Sequence, residues 1–135
     1  MKELIIDAAE ENLDVVLDFV NEELEKACCP SNLCTKIGIA AEEVFINIAQ
    51  YAYTSKTGSV IIKITCDKEA IIEFEDTGIP FNPLESAPPD LTVSAIDRDV
   101  GGLGIHMVKQ IMDSVEYRHE DDKNILVIRK MITNG

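Results

Sequence analysis

The sequence predicts an α+β protein, a two-layer α/β sandwich with a mostly antiparallel sheet packed on about three helices. Three observations carry that expectation. Apolar residues recur at helical spacing over two long segments in the first half and one shorter segment in the second. Other runs, rich in β-branched residues, alternate in polarity along their length. These runs come in pairs joined by short polar turns, which makes hairpins and therefore antiparallel neighbours.

The N-terminal KELIID reads as a short strand. Asp7 and Glu10 stand at the spacing of a capping box for the next helix, along which Leu13, Val16, Leu17, Val20 and Leu24 form one buried stripe. CCPSN breaks that helix, and Pro30 and Ser31 suit the start of a second. There Ile37, Ala41, Val44 and Ile48 make the main core stripe, with Lys36, Ala40, Glu43, Asn47 and Gln50 on a more polar line beside it. The chain turns through TSKTG into SVIIKITC, where Val60, Ile62, Ile64 and Cys66 share a face. Asp67 and Lys68 make a tight turn, and EAIIEFED returns as the second strand of a hairpin.

On that returning strand Ala70, Ile72, Phe74 and Asp76 share a face. A carboxylate therefore sits at the inward end of a core strand, where a charge needs a dedicated partner. Residues 83–100, PLESAPPDLTVSAIDRDV, have three prolines and little periodicity. They read as a long connection of the kind that often forms a functional lid. After GGLG a helix runs to about Met112, and SVEYRH and ILVIRKM close the chain as a hairpin around EDDKN.

At 135 residues, 46% of them hydrophobic, the chain fits one domain over residues 1–135 with a sizeable core. No apolar run approaches the roughly 20 residues that span a bilayer, and MKELIIDAAEEN turns acidic at once, so a cytoplasmic location is expected. Twelve Lys and Arg against 25 Asp and Glu give a net charge of -13. Such a surface repels phosphate backbones and anionic lipid. It argues against direct nucleic-acid or membrane binding and favours a protein partner or a metal-neutralised small anion. Cys28, Cys29, Cys34 and Cys66 lack the C-x-x-C pair or nearby His of a zinc site and read as buried or incidental thiols. His106 and His119 read as packing or surface residues.

Three motifs carry chemistry. In EDTGIPFNP, Asp-Thr-Gly is also the active-site triplet of aspartic proteases, but those enzymes need two such aspartates on an all-β frame, and this chain has one copy among helical segments. The motif is either a turn closing the strand, with Gly78 supplying a positive φ, or a base-recognition site. In the second case an ionised Asp76 accepts from an exocyclic amine such as the adenine N6, and Gly78 lets the ring approach the backbone. GGLGIHMVKQIMD places glycines at a helix start, which is a flexible start or a phosphate site built from backbone N–H groups. It is neither a P-loop nor a dinucleotide fingerprint. Arg98 is the nearest strong phosphate-pairing side chain, or else a solvated loop charge.

In EEVFINIAQYAY, Glu43 and Asn47 share one face of an otherwise apolar helix. Alone they read as a satisfied half-buried pair. Beside a phosphate site they read as a metal ligand and a general base. Mg²⁺ takes few protein oxygens, and a Glu one turn away can accept a proton from an attacking hydroxyl.

Together, Glu43-x-x-x-Asn47, Asp76-x-Gly78 and Gly101-Gly102-x-Gly104 resemble, in order and approximate spacing, the nucleotide-binding boxes of the GHKL (histidine kinase-like) ATPase superfamily. Within it the chain is similar along nearly its whole length to the small stand-alone anti-sigma factor serine/threonine kinases of bacteria. The resemblance implies a Bergerat-type fold binding Mg²⁺–ATP between the helical layer and the lid. It implies Glu43 as catalytic base, Asn47 on the metal, and Asp76 and Gly78 at the adenine. Asn82, Arg98 and the backbone from Gly101 through Gly102, Leu103 and Gly104 to Ile105 would complete the ATP site. The implied partners are a STAS-type anti-anti-sigma protein as substrate and a sigma factor held by the nucleotide-loaded kinase, often a homodimer. A nucleotide-dependent binding regulator without phosphoryl transfer is the alternative. The chain departs from its relatives at Gln50 and Tyr51, where many carry His or Lys, and in a lid without an Arg-Ser pair before the glycines. A C-terminal Thr that helps bind phosphate in the superfamily has Asn124 as its nearest counterpart.

Overall fold

The structure, a computed structural model, describes residues 1–51, 58–80 and 100–133. Its elements run β1 (Lys2–Asp7), α1 (Leu13–Lys26), α2 (Ser31–Tyr51), β2 (Ser59–Cys66), β3 (Glu69–Asp76), α3 (Val100–Ile111), β4 (Ser114–Glu120) and β5 (Lys123–Met131). The strands form one sheet in the order β1-β2-β3-β5-β4, with every neighbouring pair antiparallel. The expected lid lies outside the described residues except for Val100, which is the first residue of α3.

Period-two alternation decides which sheet face meets the helices. One rung reads Leu4, Ile62, Phe74, Leu126 and Tyr117 across all five strands. Val16, Val20 and Leu24 of α1, Ile37, Ala41, Val44 and Phe45 of α2, and Val108 of α3 close over this face as one core. Helix α2 packs against both α1 and α3. The next rung reads Ile6, Val60, Asp76, Asn124 and His119. It begins apolar at β1 and turns polar from β3 onward, so the sheet itself assembles a polar corner beside the core.

On the opposite face the sheet carries a cross-strand charge ladder. Lys63 Nζ lies 3.1 Å from Glu75 and 3.7 Å from Glu73, and Arg118 lies 3.7 Å from Glu73. Part of the acidic excess is therefore paired across strands and does not stand alone on helices and loops.

Several local expectations are corrected. Asp7 and Glu10 form no capping box: Ala8 N donates to Gly58 O at 2.8 Å and prolongs the strand pairing. A 3₁₀ turn over Glu10–Asn12 follows, and α1 starts only at Leu13. At its other end α1 closes in a Schellman arrangement, with Cys29 N donating to Leu24 O and Cys28 N to Glu25 O. Cys28 takes the left-handed position there with φ 58, where glycine is usual. In the last hairpin the turn is confined to Asp121 and Asp122, both at positive φ, as a type I′ turn requires. Asn124, expected beside that turn, is a paired residue of β5.

Candidate functional site

Helix α2 sets out the first half of the site. Its core stripe, Ile37, Ala41, Val44 and Ile48, is buried. That fixes the helix's rotation and carries Glu43 and Asn47 to its margin, one turn apart. Asn47 is buried at 7% exposure, and Glu43 is half-buried. Among the described residues neither side chain has a hydrogen-bond or ion-pair partner. Burial, reinforced by the neighbouring Glu42 carboxylate, pushes the Glu43 carboxyl above its ordinary range. A carboxylate shifted upward is a better proton acceptor at neutral pH.

The second half lies at the C-terminal end of β3. Asp76 is buried, and its Oδ1 accepts from Gly78 N at 2.9 Å and from Asn124 Nδ2 at 2.9 Å. Asn124 Nδ2 also donates to the Ile79 carbonyl at 2.9 Å, and Tyr117 donates its hydroxyl to Asn124 Oδ1. Burial pushes the Asp76 carboxyl above its ordinary value. The bonds from Asn124 and Gly78, and the nearby His119, pull it back down. Gly78 makes this an Asx turn by its N–H; among the described residues no glycine has a positive φ, so the expected left-handed Gly78 is corrected.

Gly101, Gly102, Leu103, Gly104 and Ile105 fall in the first two turns of α3, and Ile105 is buried. Because α3 packs on α2, the helix start and the Glu43–Asn47 helix belong to one layer. Asn82 and Arg98 lie outside the described residues.

Three residues at the Asp76 end were not singled out for it by the sequence. Asn124 is at the Asp76 end, bonded to the Asp76 carboxylate. Tyr117 stands behind it. His119, read as a packing or surface residue, is opposite Asn124 on β4 and favours the Asp76 carboxylate. The signal that would have found them is the hairpin register, since a two-residue turn at Asp121–Asp122 pairs position 119 with 124. Gln50 donates to Glu10 at 2.9 Å and braces the 3₁₀ turn.

The profile of the family described as histidine kinase-like ATPase domain matches residues 6–130. An anti-sigma F factor of Clostridium perfringens is 31% identical over 102 residues, spanning 74% of this chain and 73% of that one. The chain belongs to the anti-sigma factor kinase family of the histidine kinase-like ATPases. A serine-protein kinase RsbW of Bacillus mycoides is 27% identical over 96 residues, which are 67% of this chain and 60% of that one. The crystal structure of the RsbU and RsbW domains of Rv1364c from Mycobacterium tuberculosis superposes with a TM-score of 0.65 at 14% identity. It covers the whole of this chain and 34% of that one, and it shows the shared fold. The anti-sigma kinase family thus supplies an ATP-binding frame. Among the described residues, no helix is long and apolar enough to cross a membrane.

Proposed function

We propose that the protein is an ATP-dependent serine/threonine protein kinase of anti-sigma factor type, acting on a STAS-type anti-anti-sigma protein and holding a sigma factor in its nucleotide-loaded form, as a homodimer. The observation that carries this reading is the Glu43–Asn47 pair, a carboxyl shifted upward by burial one turn from a buried amide, both without partners among the described residues. Among the described residues no fully buried side-chain N or O atom lacks a partner, so the polar atoms of this pair stay accessible to a ligand.

An amide oxygen without a protein donor fits a hard cation, so Asn47 is the side chain to hold Mg²⁺, which when bound neutralises phosphate charge. Asp76 accepts from the adenine amine, with Gly78 beside the ring. The N–H groups opening α3, from Gly101, Gly102, Leu103, Gly104 and Ile105, meet the phosphates, with Asn82 and Arg98 from the connecting segment. Transfer forms a bond between the substrate serine Oγ and the γ-phosphorus and breaks the bond from that phosphorus to the β–γ bridging oxygen. Glu43 takes the hydroxyl proton, and ADP leaves.

A second reading, nucleotide-dependent binding without transfer, is favoured by relatives named as anti-sigma factors. Both are tested by incubating the protein with Mg²⁺ and γ-labelled ATP and each STAS protein of its source organism. Label on a partner serine supports the kinase. No label, with partner retention that differs between ATP and ADP, supports the second reading, and loss of both results overturns the two together.

A further inference from the structure

We propose that Cys29 and Cys34 are a modification site, a thiol pair that a low-molecular-weight disulfide oxidises to a reversible bridge between the end of α1 and the first turn of α2. The pair lies apart from the candidate nucleotide site. Its near neighbour Cys66 is paired with Ala70 at one end of the β2–β3 hairpin, and Asp76 is paired with Val60 at the other. Where the surroundings are reducing, such a pair stands as thiols, and its bridge is a transient mark of oxidant.

The turn between the two helices fixes both residues. Cys29 N donates to Leu24 O, so Cys29 completes the Schellman arrangement that closes α1. Leu33 N and Cys34 N both donate to Pro30 O, which makes Pro30 the capping residue of α2. Cys29 therefore stands just before the cap and Cys34 four residues after it, the two positions whose side chains meet as a hydrophobic staple. Here both partners are thiols. Cys34 donates its thiol hydrogen to the Cys29 carbonyl at 3.5 Å, Cys29 donates its own to the Pro30 carbonyl at 3.6 Å, and the two side chains are in hydrogen-bonding contact. Both are half-buried and pack on the core. A backbone held by two helices thus brings the sulfurs together before any bond is made, and the chain left to close between them is short.

Cys34 also lines a groove of about 390 Å³ between α1 and α2, with Leu17, Asn21, Ser31 and Gly38, and is the thiol that an oxidant in the groove meets. The Cys34 thiolate attacks one sulfur of oxidised glutathione, forming a mixed disulfide and releasing a glutathione thiolate. The Cys29 thiolate then attacks the Cys34 sulfur, the protein disulfide forms, and a second glutathione thiolate leaves. Two protein thiols lose two electrons and two protons, and one oxidised glutathione becomes two reduced ones. The second step is the slow one. Burial pushes the Cys29 thiol up to about 12, reinforced by the neighbouring Cys34 and Cys66. Burial and Glu23 of α1, itself paired with Lys26, push Cys66 up to about 11. Glu25 of α1 and Glu42 of α2 line the groove at Cys34, and among the described residues no cation acts on Cys29. Bridge formation should therefore accelerate about tenfold for each unit of pH, as the thiolate fraction grows.

The test incubates the folded full chain with oxidised glutathione at pH 7, 8 and 9, quenches in acid, alkylates the free thiols and maps the peptides by mass spectrometry. The expected product is one intrachain bridge between Cys29 and Cys34, with Cys66 alkylated, formed faster at each higher pH and reversed by dithiothreitol. Cys28→Ser removes the exposed thiol beside the pair and should leave the yield unchanged. Cys29→Ser should stop the reaction at a glutathione adduct on Cys34, and Cys34→Ser should abolish the bridge. The bridged protein should unfold a few degrees higher than the reduced one, as a short loop closed without distortion does. Adducts on Cys28 alone, a bridge from Cys34 to Cys66, or a bridge that forms only in urea overturns the inference. So does a bridged protein with a lowered midpoint, because the turn would then be strained by the bond and not built for it.

Discussion

The two ends of the site treat buried polarity in opposite ways. On α2, the buried Asn47 and half-buried Glu43 have no partners among the described residues. At the β3–β5 corner, Asp76, Gly78, Asn124, Ile79 and Tyr117 are joined by hydrogen bonds. Leaving a buried polar group unmade costs about 1–3 kcal/mol. The sheet end meets its polar atoms from within the protein, whereas the helix end keeps its own within reach of solvent or ligand, since among the described residues no fully buried side-chain N or O atom lacks a partner. One end is held open for chemistry supplied from outside; the other is a preorganised frame that presents a single carboxylate. The helix end should therefore respond to substitution in activity and the sheet end in stability and selectivity.

The largest expected effect belongs to Glu43. Glu43→Gln should lower phosphoryl transfer by about 10²–10⁴-fold, the usual contribution of a general base, and leave ADP affinity unchanged by calorimetry. The base must be ionised to act, and burial raises its carboxyl above the ordinary 4.5. Activity should accordingly rise with pH through that elevated value and level off above it. Loss of ADP binding in the variant would break the comparison by making Glu43 part of the frame.

Asparagine occurs at both ends, which allows a direct contrast. Asn47→Ala should weaken Mg²⁺–ATP binding by roughly 10- to 100-fold while affinity measured in excess chelator stays the same and the unfolding midpoint does not fall. Asn124→Ala leaves a carboxylate oxygen, a carbonyl and a phenol without their shared amide, and should cost about 1–3 kcal/mol of stability in urea unfolding. Equal stability losses in the two variants would erase the distinction between the ends.

The helix end was legible in the sequence because a 3.6-residue period and one apolar stripe determine which side chains reach the margin. Glu43 and Asn47 are four apart, and no long-range fact is needed to see that they share a face. The sheet end was legible only up to Asp76, whose inward position follows from alternation with Ala70, Ile72 and Phe74. Its partner lies 48 residues away. Finding Asn124 required the turn to be confined to Asp121–Asp122, and a wider turn around EDDKN moves it out of the ladder. The capping box failed for a related reason, since strand pairing at Ala8 outcompeted a local motif. Local patterns predicted local structure; residues joined by register were visible only once the strands had been paired.

The smallest effect concerns the stability associated with the Asp76 charge. Burial raises its carboxyl above the ordinary 3.8 despite the donors that meet it. A folded state that holds a proton more tightly than the unfolded chain is favoured at low pH, and stability falls as pH rises through the window from about 3.8 up to the elevated folded value. Above that window the ionised carboxylate carries its full burial penalty. Asp76→Asn retains an oxygen to accept from Gly78 and Asn124 and removes the charge. It should therefore raise the unfolding midpoint by a few degrees at pH 7, with the gain shrinking across the same window and absent below it. The variant should at the same time lose adenine-nucleotide binding, the trade expected where a charge is retained for a ligand at some cost to the fold. A midpoint lowered at pH 7 would show that the ionised carboxylate holds the corner together, and the frame would then depend on the very charge it presents.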